Sequence, residues 1–147
     1  MAMADEDRAR KVAIIEQFFE FTSAKEFEKL FALFTDDVRM SIPYQLPGFP
    51  SHVEGMDAMR RSTAAMDRYE RNINVVGKIE PMLDPDSFLV ESKGDMVVQE
   101  TGRPYRNDYL NVFRFRDGKI AEWVSYHDPV RQLVAFGITE LPVPAES

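Results

Sequence analysis

The chain has 147 residues, 44% of them hydrophobic and 29% charged, which is the size and composition of one globular domain spanning 1–147. It has no cysteine, which excludes disulfide bonds, thiolate metal sites and a cysteine nucleophile. The formal net charge of −7 has the wrong sign for binding nucleic acid. No membrane-spanning stretch or signal peptide is evident, so we expect a cytoplasmic protein that does not bind membranes.

The N-terminal quarter of the chain carries two helical patterns. Apolar residues at helical spacing predict a first helix over 5–22. Ser23 and Glu26 have the spacing of a capping box, which predicts a second helix that begins near Phe27 and ends at Asp36. The first half of the chain is therefore mainly helical.

A loop rich in proline separates the second helix from a third. Alternating residues over 38–44 predict a strand, and three prolines and a glycine then predict an extended loop over 43–53. A third helix is predicted over 54–70. If the loop is a lid over a pocket, its residues Tyr44 and His52 would approach a bound ligand.

The second half of the chain has the alternation typical of strands. Four strands are predicted, over 73–83, 88–98, 105–116 and 119–127. Asp117 and Gly118 predict a tight hairpin between the last two. Helices followed by a strand meander favour an α+β fold with an antiparallel sheet.

A last short helix follows the strands. Asp128 is predicted to cap it, with Pro129 in the first helical position. The apolar residues Val130, Leu133 and Val134 are predicted to face inward.

Successive side chains of a strand point to opposite faces of the sheet, and sorting the strand residues by this parity separates a charged face from a neutral one. The neutral face combines aromatic residues with Ser92, Asn107, Tyr109, Asn111, Ser125 and His127. Neutral polar groups are costly in a dry core, so this face is predicted to line a partly polar cavity. The charged face also carries Leu89, Val112, Val124 and Tyr126, which predicts that a second copy of the chain covers it in a homodimer.

One segment resembles a known superfamily. It runs from Tyr105 to Ile120 (Tyr-Arg-Asn-Asp-Tyr-Leu-Asn-Val-Phe-Arg-Phe-Arg-Asp-Gly-Lys-Ile) and is followed by Trp123 and by Tyr126-His127-Asp128-Pro129. With the order of elements, it resembles the NTF2-like superfamily, in particular its SnoaL-like and phenazine-biosynthesis A/B members. The resemblance implies a cystatin-like cone, in which N-terminal helices pack on a curved antiparallel sheet around a pocket.

The resemblance also places functional positions of related enzymes on this chain. The general-base Asp of ketosteroid isomerases falls at Ile42, their oxyanion Tyr at Phe18 and their second oxyanion acid at Asn111. The Arg of limonene epoxide hydrolases falls at Ser92, and the last-strand carboxylates of that family and of the phenazine proteins fall at Ser125. The predicted pocket therefore has no carboxylate at these positions.

His127 is the leading catalytic candidate among the inward residues. Histidine is the side chain that ordinarily exchanges a proton near neutral pH, so we predict that His127 moves a proton. The alternative is a histidine that bonds a backbone group at a strand end. Asn111 and Tyr109 are predicted to stabilise an oxyanion, although Asn111 could instead be satisfied by buried water or by Tyr109.

The remaining inward residues are predicted to bind substrate: Phe18, Ile42, Tyr44, Ser92, Asn107, Trp123 and Ser125. The two histidines lie on separate elements without a carboxylate at ligand spacing, so neither a metal nor another cofactor is expected.

These observations favour a cofactor-free enzyme that transfers protons on a hydrophobic, oxygenated small molecule. Its reaction would be an isomerisation, a cyclisation or a dehydration of the lyase type. The alternative is a non-catalytic binding module whose cavity only holds a ligand, which the lack of carboxylates favours. A mainly structural, protein-docking role would require a cavity filled by the protein's own side chains.

Overall fold

The computed structural model describes residues 2–140, and the ends of the predicted domain 1–147 lie outside this range. The helices in it are α1 (Ala2–Ala24), α2 (Phe27–Phe31), α3 (Met56–Thr63), a 3₁₀ turn (Ala64–Arg68) and α4 (Pro129–Ala135). The strands are β1 (Phe34–Ser41), β2 (His52–Glu54), β3 (Tyr69–Pro81), β4 (Ser87–Val98), β5 (Pro104–Arg116) and β6 (Lys119–Tyr126). Across residues 2–140, no helix has both the length and the apolar character needed to cross a bilayer.

The strands form one mixed sheet in the order β2-β1-β6-β5-β4-β3. Strands β3 to β6 form the predicted antiparallel meander, and β2 pairs antiparallel with β1. However, β1 pairs parallel with β6, so the prediction of a purely antiparallel sheet was wrong at this one pairing. The α+β class is confirmed, and the N-terminal helices pack on the curved sheet as predicted.

The second helix begins at Phe27 as predicted, but the capping role predicted for Ser23 was wrong. Ser23 lies inside α1, where its hydroxyl accepts from the Asn74 N–H at 2.8 Å and donates to the Asn74 carbonyl at 3.0 Å. It therefore ties α1 to β3 instead of capping α2. The second helix is also shorter than predicted, because β1 already begins at Phe34.

The third helix ends earlier than predicted. It ends at Thr63, and the chain passes through the 3₁₀ turn into β3 at Tyr69. The Arg68 carbonyl accepts from the Gln99 N–H at 2.8 Å, which fixes this turn to the far end of β4. As a result, Tyr69 begins a sheet strand and faces the interior.

The strand parity predicted from the sequence is confirmed in β4 and β5. Every second residue of β4 from Phe88 to Val98 is buried, and the matching set in β5 from Tyr105 to Phe115 is buried or nearly so. The orientation predicted for α4 was wrong, because Val130 and Val134 are 63% and 57% exposed. Gln132, Ala135 and Phe136 are buried in their place.

A buried cation fastens α1 to the turn between β3 and β4. The Lys11 ammonium is buried and bonds two half-exposed carboxylates, Asp7 and Asp86. Burial alone would lower the pKa of Lys11, but the hydrogen bonds to the two carboxylates raise it overall. The bond to Lys11 also lowers the pKa of Asp7.

We expect Lys11→Met to lower the free energy of unfolding by about 1 kcal/mol, because methionine keeps the apolar packing while the two carboxylates return to water. Arg10→Met is the matched control, since Arg10 also contacts Asp7 but is exposed. Urea unfolding followed by circular dichroism measures both variants. The deficit of Lys11→Met should shrink in acid, because a carboxylate with a lowered pKa stabilises the fold only while ionised. Equal losses in both variants would contradict this account.

We propose that the outer face of the sheet forms a homodimer. Val112 and Val124 are directly paired across β5 and β6, and Leu110 beside them is exposed. Val112→Glu should give a monomer by light scattering at micromolar concentration, because it buries a charge in the interface. Val130→Glu, an exposed position on α4 and not on the sheet, should leave the dimer intact. A monomeric wild-type mass would contradict the proposal.

Candidate functional site

A cavity of about 200 Å³ lies between the N-terminal helices, the loop after β1 and the inner face of the sheet. One part of its wall is apolar and includes Phe18, Leu30, Phe34, Met40, Ile42, Met59 and Trp123. The other part is polar and includes Tyr69, Ser92, Tyr105, Tyr109, Asn111, Ser125, His127 and Gln132. The cavity can therefore surround an apolar body and contact a polar group at one side.

The cavity wall carries almost no charge. Among the described residues, no Asp or Glu lines it, and Arg68 is the only Lys or Arg that does. The Arg68 guanidinium bonds Glu100 at 2.7 Å and stacks on the rings of Phe49 and Phe136, at 4.8 and 4.6 Å from the ring centroids. Its charge is thus already compensated, and the site as a whole favours an uncharged ligand.

Asn111 joins three strands at the base of the cavity. Its amide nitrogen donates to the Val90 carbonyl at 3.1 Å and to the Ser92 hydroxyl at 3.0 Å. Its carbonyl oxygen accepts from the Trp123 indole N–H at 3.1 Å. Both N–H groups are committed to β4, so the oxyanion role predicted for Asn111 conflicts with this arrangement. The geometry makes Asn111 the residue that fixes Ser92 and Trp123 in the wall.

Three tyrosines from two strands form a hydroxyl cluster, which we call the tyrosine cluster: Tyr69, Tyr105 and Tyr109. The Tyr109 hydroxyl donates to that of Tyr105 at 3.4 Å, and the Tyr105 ring stacks on Tyr69 with centroids 6.2 Å apart. Tyr109 fits there because its diagonal neighbour on β4 is a glycine, Gly94, which pairs with Asn107. A Cβ on Gly94 would lie 3.0 Å from the Tyr109 ring.

Burial keeps the tyrosine cluster neutral. It raises the pKa of Tyr69 and Tyr105 and places that of Tyr109 well above its ordinary value. The Tyr105 oxygen accepts from Tyr109 and from the Asn107 amide, while its own proton has no acceptor among the described residues. Tyr105 can therefore donate that proton in a hydrogen bond to a ligand oxygen.

His127 lies beside the tyrosine cluster at the end of β6. Its ring stacks on Tyr109, with centroids 6.2 Å apart and an interplanar angle of 21°. Its Nε2 lies 2.8 Å from the Gln132 side-chain oxygen, an acceptor that a neutral ring bonds when Nε2 carries the proton and Nδ1 does not. Nδ1 is buried and has no hydrogen-bond partner among residues 2–140. The His127 ring lines the cavity, and Nδ1 is its one unpaired nitrogen.

Asn107 is buried behind the tyrosine cluster and does not line the cavity, which corrects its predicted place in the binding site. Its amide nitrogen donates to the Tyr105 hydroxyl and to the Asp128 carbonyl, both at 2.9 Å. Its oxygen accepts from the Asp128 N–H at 3.3 Å. Asp128 in turn caps α4 by accepting from the Val130 N–H, as predicted. Asn107 thus links Tyr105 to the start of α4.

The loop after β1 covers one side of the cavity. Gln45, Phe49 and Pro50 contribute to the wall, and the Phe49 ring packs edge-on against Phe136 at 4.9 Å. Tyr44 was wrongly predicted to face the ligand. Its side chain is 58% exposed and packs on Tyr126, which belongs to the charged outer face of the sheet.

The other predicted residues have clear positions. Phe18, Ile42, Ser92, Tyr109, Trp123, Ser125 and His127 all line the cavity together with Asn111. His52 is exposed and bonds Glu54 outside it. Within residues 2–140, no three His, Asp or Glu side chains are grouped closely enough to hold a metal ion.

Three residues of the polar wall were missed by the sequence reasoning. Tyr105 shares the inward parity of Tyr109, so the strand pattern could have identified it. Tyr69 fell within the predicted third helix, and Gln132 was not among the α4 residues predicted to face inward. No local signal marks either residue, because their inward placement depends on the 3₁₀ turn and on the bond between Gln132 and His127.

The architecture and the polar-walled cavity define an NTF2-like protein. The family model of the SnoaL-like domain matches residues 15–123, and the chain belongs to this family.

Individual relatives agree with the family assignment. An uncharacterised PhzA/B-like protein of Pseudomonas aeruginosa is 30% identical over 111 residues, covering 74% of this chain and 77% of the relative. A crystal structure of a Bacillus subtilis protein provisionally named an isomerase has a TM-score of 0.82 at 23% identity, covering 92% of this chain and 99% of that one.

A phenazine biosynthesis-related protein of Pseudomonas aeruginosa has a TM-score of 0.76 at 21% identity, covering 99% of this chain and 95% of that one. At such identities, the two crystal structures establish the shared fold and no more.

We expect Asn111→Leu to lower the free energy of unfolding by about 3 kcal/mol, because it leaves the Val90 carbonyl, the Ser92 hydroxyl and the Trp123 N–H without their partner. Ser92→Ala removes only one of these bonds and should cost about 1 kcal/mol. Denaturant unfolding of the two variants measures the difference. A loss for Asn111→Leu no greater than for Ser92→Ala would contradict the role given to Asn111.

Proposed function

We propose that the protein is an enzyme that transfers protons on a neutral, hydrophobic, oxygenated small molecule, in an isomerisation, cyclisation or dehydration. The observation that carries the proposal is the free Nδ1 of His127 beside hydroxyls that stay neutral. A base and a hydrogen-bond donor on residues that line one cavity are the two groups that enolisation of a ketone requires.

The proposed reaction has two proton transfers. The substrate carbonyl accepts a hydrogen bond from the Tyr105 hydroxyl, and Nδ1 of His127 takes a proton from the adjacent carbon. The electron pair of that C–H bond moves into the enolate, whose oxygen Tyr105 stabilises. The imidazolium then returns the proton to another carbon of the substrate, so no proton is gained or lost overall.

The composition of the wall supports the substrate class. The described residues place no carboxylate in the wall and Arg68 is already compensated, so this part of the chain offers no free charge to balance a charged ligand. The apolar part around Phe18 and Trp123 suits a carbon skeleton, and the polar part suits one or two oxygens. The provisional name of the Bacillus subtilis neighbour fits the same reaction class.

A non-catalytic binding module is the second candidate. The observation that favours it is the lack of an acidic residue in the described wall, since related enzymes of the superfamily place their catalytic carboxylates there. In that case, His127 and the tyrosine cluster would recognise the ligand without reacting with it.

We expect the protein to convert a small β,γ-unsaturated ketone, such as cyclohex-3-enone, into its conjugated isomer, which is followed by ultraviolet absorbance. His127→Ala should lower kcat/KM by about 10²- to 10⁴-fold, the usual contribution of a general base. His52→Ala is the matched control and should leave the rate unchanged, because His52 lies outside the cavity.

Two results would contradict the proposal, the first its mechanism and the second its enzymatic activity. An unchanged rate in His127→Ala would remove the base assigned here. Binding of the ketone, measured by calorimetry, without any turnover or exchange of its α-hydrogen with deuterated water would favour the binding module instead.

A further inference from the structure

We propose that Gln132 is a positioning residue that keeps the proton of neutral His127 on Nε2 and leaves Nδ1 free to accept a proton. The inference rests on the proposed function for its catalytic meaning, but the protonation pattern of the ring can be tested without any substrate. Gln132 is 3% exposed, and its side-chain oxygen lies 2.8 Å from Nε2.

The choice of tautomer follows from which polar atoms remain unpaired. With the Gln132 oxygen facing Nε2, the ring donates there, and the unpaired buried atom is the acceptor Nδ1. If the Gln132 amide were reversed, its N–H would donate to Nε2 and the ring proton would sit on Nδ1 without an acceptor. Buried N–H groups without an acceptor are the rarer of the two in folded proteins, so the first arrangement is favoured.

Contacts at the start of α4 hold Gln132 in position. It lies in the middle of α4, whose first turn is capped by Asp128. Asn107 holds the Asp128 backbone at both its N–H and its carbonyl. The same Asn107 bonds Tyr105, so one buried amide sets the location of both the hydrogen-bond donor and the residue that orients the base. Stacking on Tyr109 fixes the plane of the His127 ring.

A neutral partner suits a base that must return its proton. A carboxylate at this position would stabilise the imidazolium strongly, as in catalytic triads, and would slow the second transfer. The Gln132 amide accepts the Nε2 proton in both protonation states and adds no charge. This arrangement favours reactions in which one group both removes and redelivers a proton.

The experiment is a long-range ¹H–¹⁵N correlation spectrum of the imidazole rings in the full chain, recorded above about pH 8, where an ordinary histidine is neutral. The chain has two histidines, so His52→Ala assigns the signals. We expect His127 to show one tautomer, with Nε2 protonated and Nδ1 not. A free histidine derivative in the same buffer serves as the reference for averaged tautomers, because Nε2 of His52 faces Glu54. A protonated Nδ1, or tautomers of His127 averaged like those of the free ring, would overturn the inference.

Variants at position 132 complete the test. Gln132→Met keeps the volume but removes the acceptor, so the single-tautomer pattern should be lost, while the exposed change Gln17→Met should preserve it. In the ketone assay, Gln132→Met should lower kcat at least tenfold with little change in KM, and Gln132→Glu, which keeps an acceptor oxygen, should retain the Nε2 proton.

If Gln132→Met fails to fold, Gln132→Glu still decides the point, since loss of the Nε2 proton there would contradict the inference. A wild-type ring with the expected tautomer but no turnover of any ketone would refute the enzyme while leaving the orienting role of Gln132 intact.

Discussion

Satisfying two buried asparagines on one strand is the constraint on which the rest of this structure depends. Asn107 and Asn111 lie four residues apart on the inner face of β5, and neither can reach bulk water. Each must therefore find its partners inside the protein. Asn111 finds them on β4 and β6, and Asn107 finds them on Tyr105 and at the start of α4.

These hydrogen bonds divide the interior into two regions. Around Asn111, the side-chain amide completes a closed network, and the aromatic wall of Phe18, Phe113 and Trp123 packs tightly beside it. Around Asn107, the network stays open within the described part of the chain, because the Tyr105 hydroxyl and His127 each keep one unused hydrogen-bonding position there. Reactivity in such a cavity depends less on charged groups than on polar atoms that the fold leaves without a partner.

Much of the fold could be predicted from the sequence, since alternation in β4 and β5 and the Asp117-Gly118 turn are local signals. What could not be predicted depends on contacts between distant segments. Ser23 looks like a cap but bonds β3, and the parallel pairing of β1 with β6 joins segments about 80 residues apart.

The same limit applies to the site. Parity located Ser92, Tyr109, Ser125 and His127 in the cavity wall, because strand geometry alone fixes which side they face. It could not show that both N–H groups of Asn111 are already hydrogen-bonded. Nor could it show that Gln132 is buried while Val130 and Val134 are exposed. Both outcomes depend on which polar groups pair with each other. Predicting that pairing requires the positions of all the neighbouring residues.

The chain has one tryptophan, and it lies in the cavity wall. Its indole N–H is held by Asn111, and its ring is parallel to Phe113. Intrinsic fluorescence excited at the red edge of the tyrosine spectrum therefore originates from this wall alone. Occupancy of the cavity can be followed by the wavelength and lifetime of that emission, with no label attached and no signal from another tryptophan to subtract.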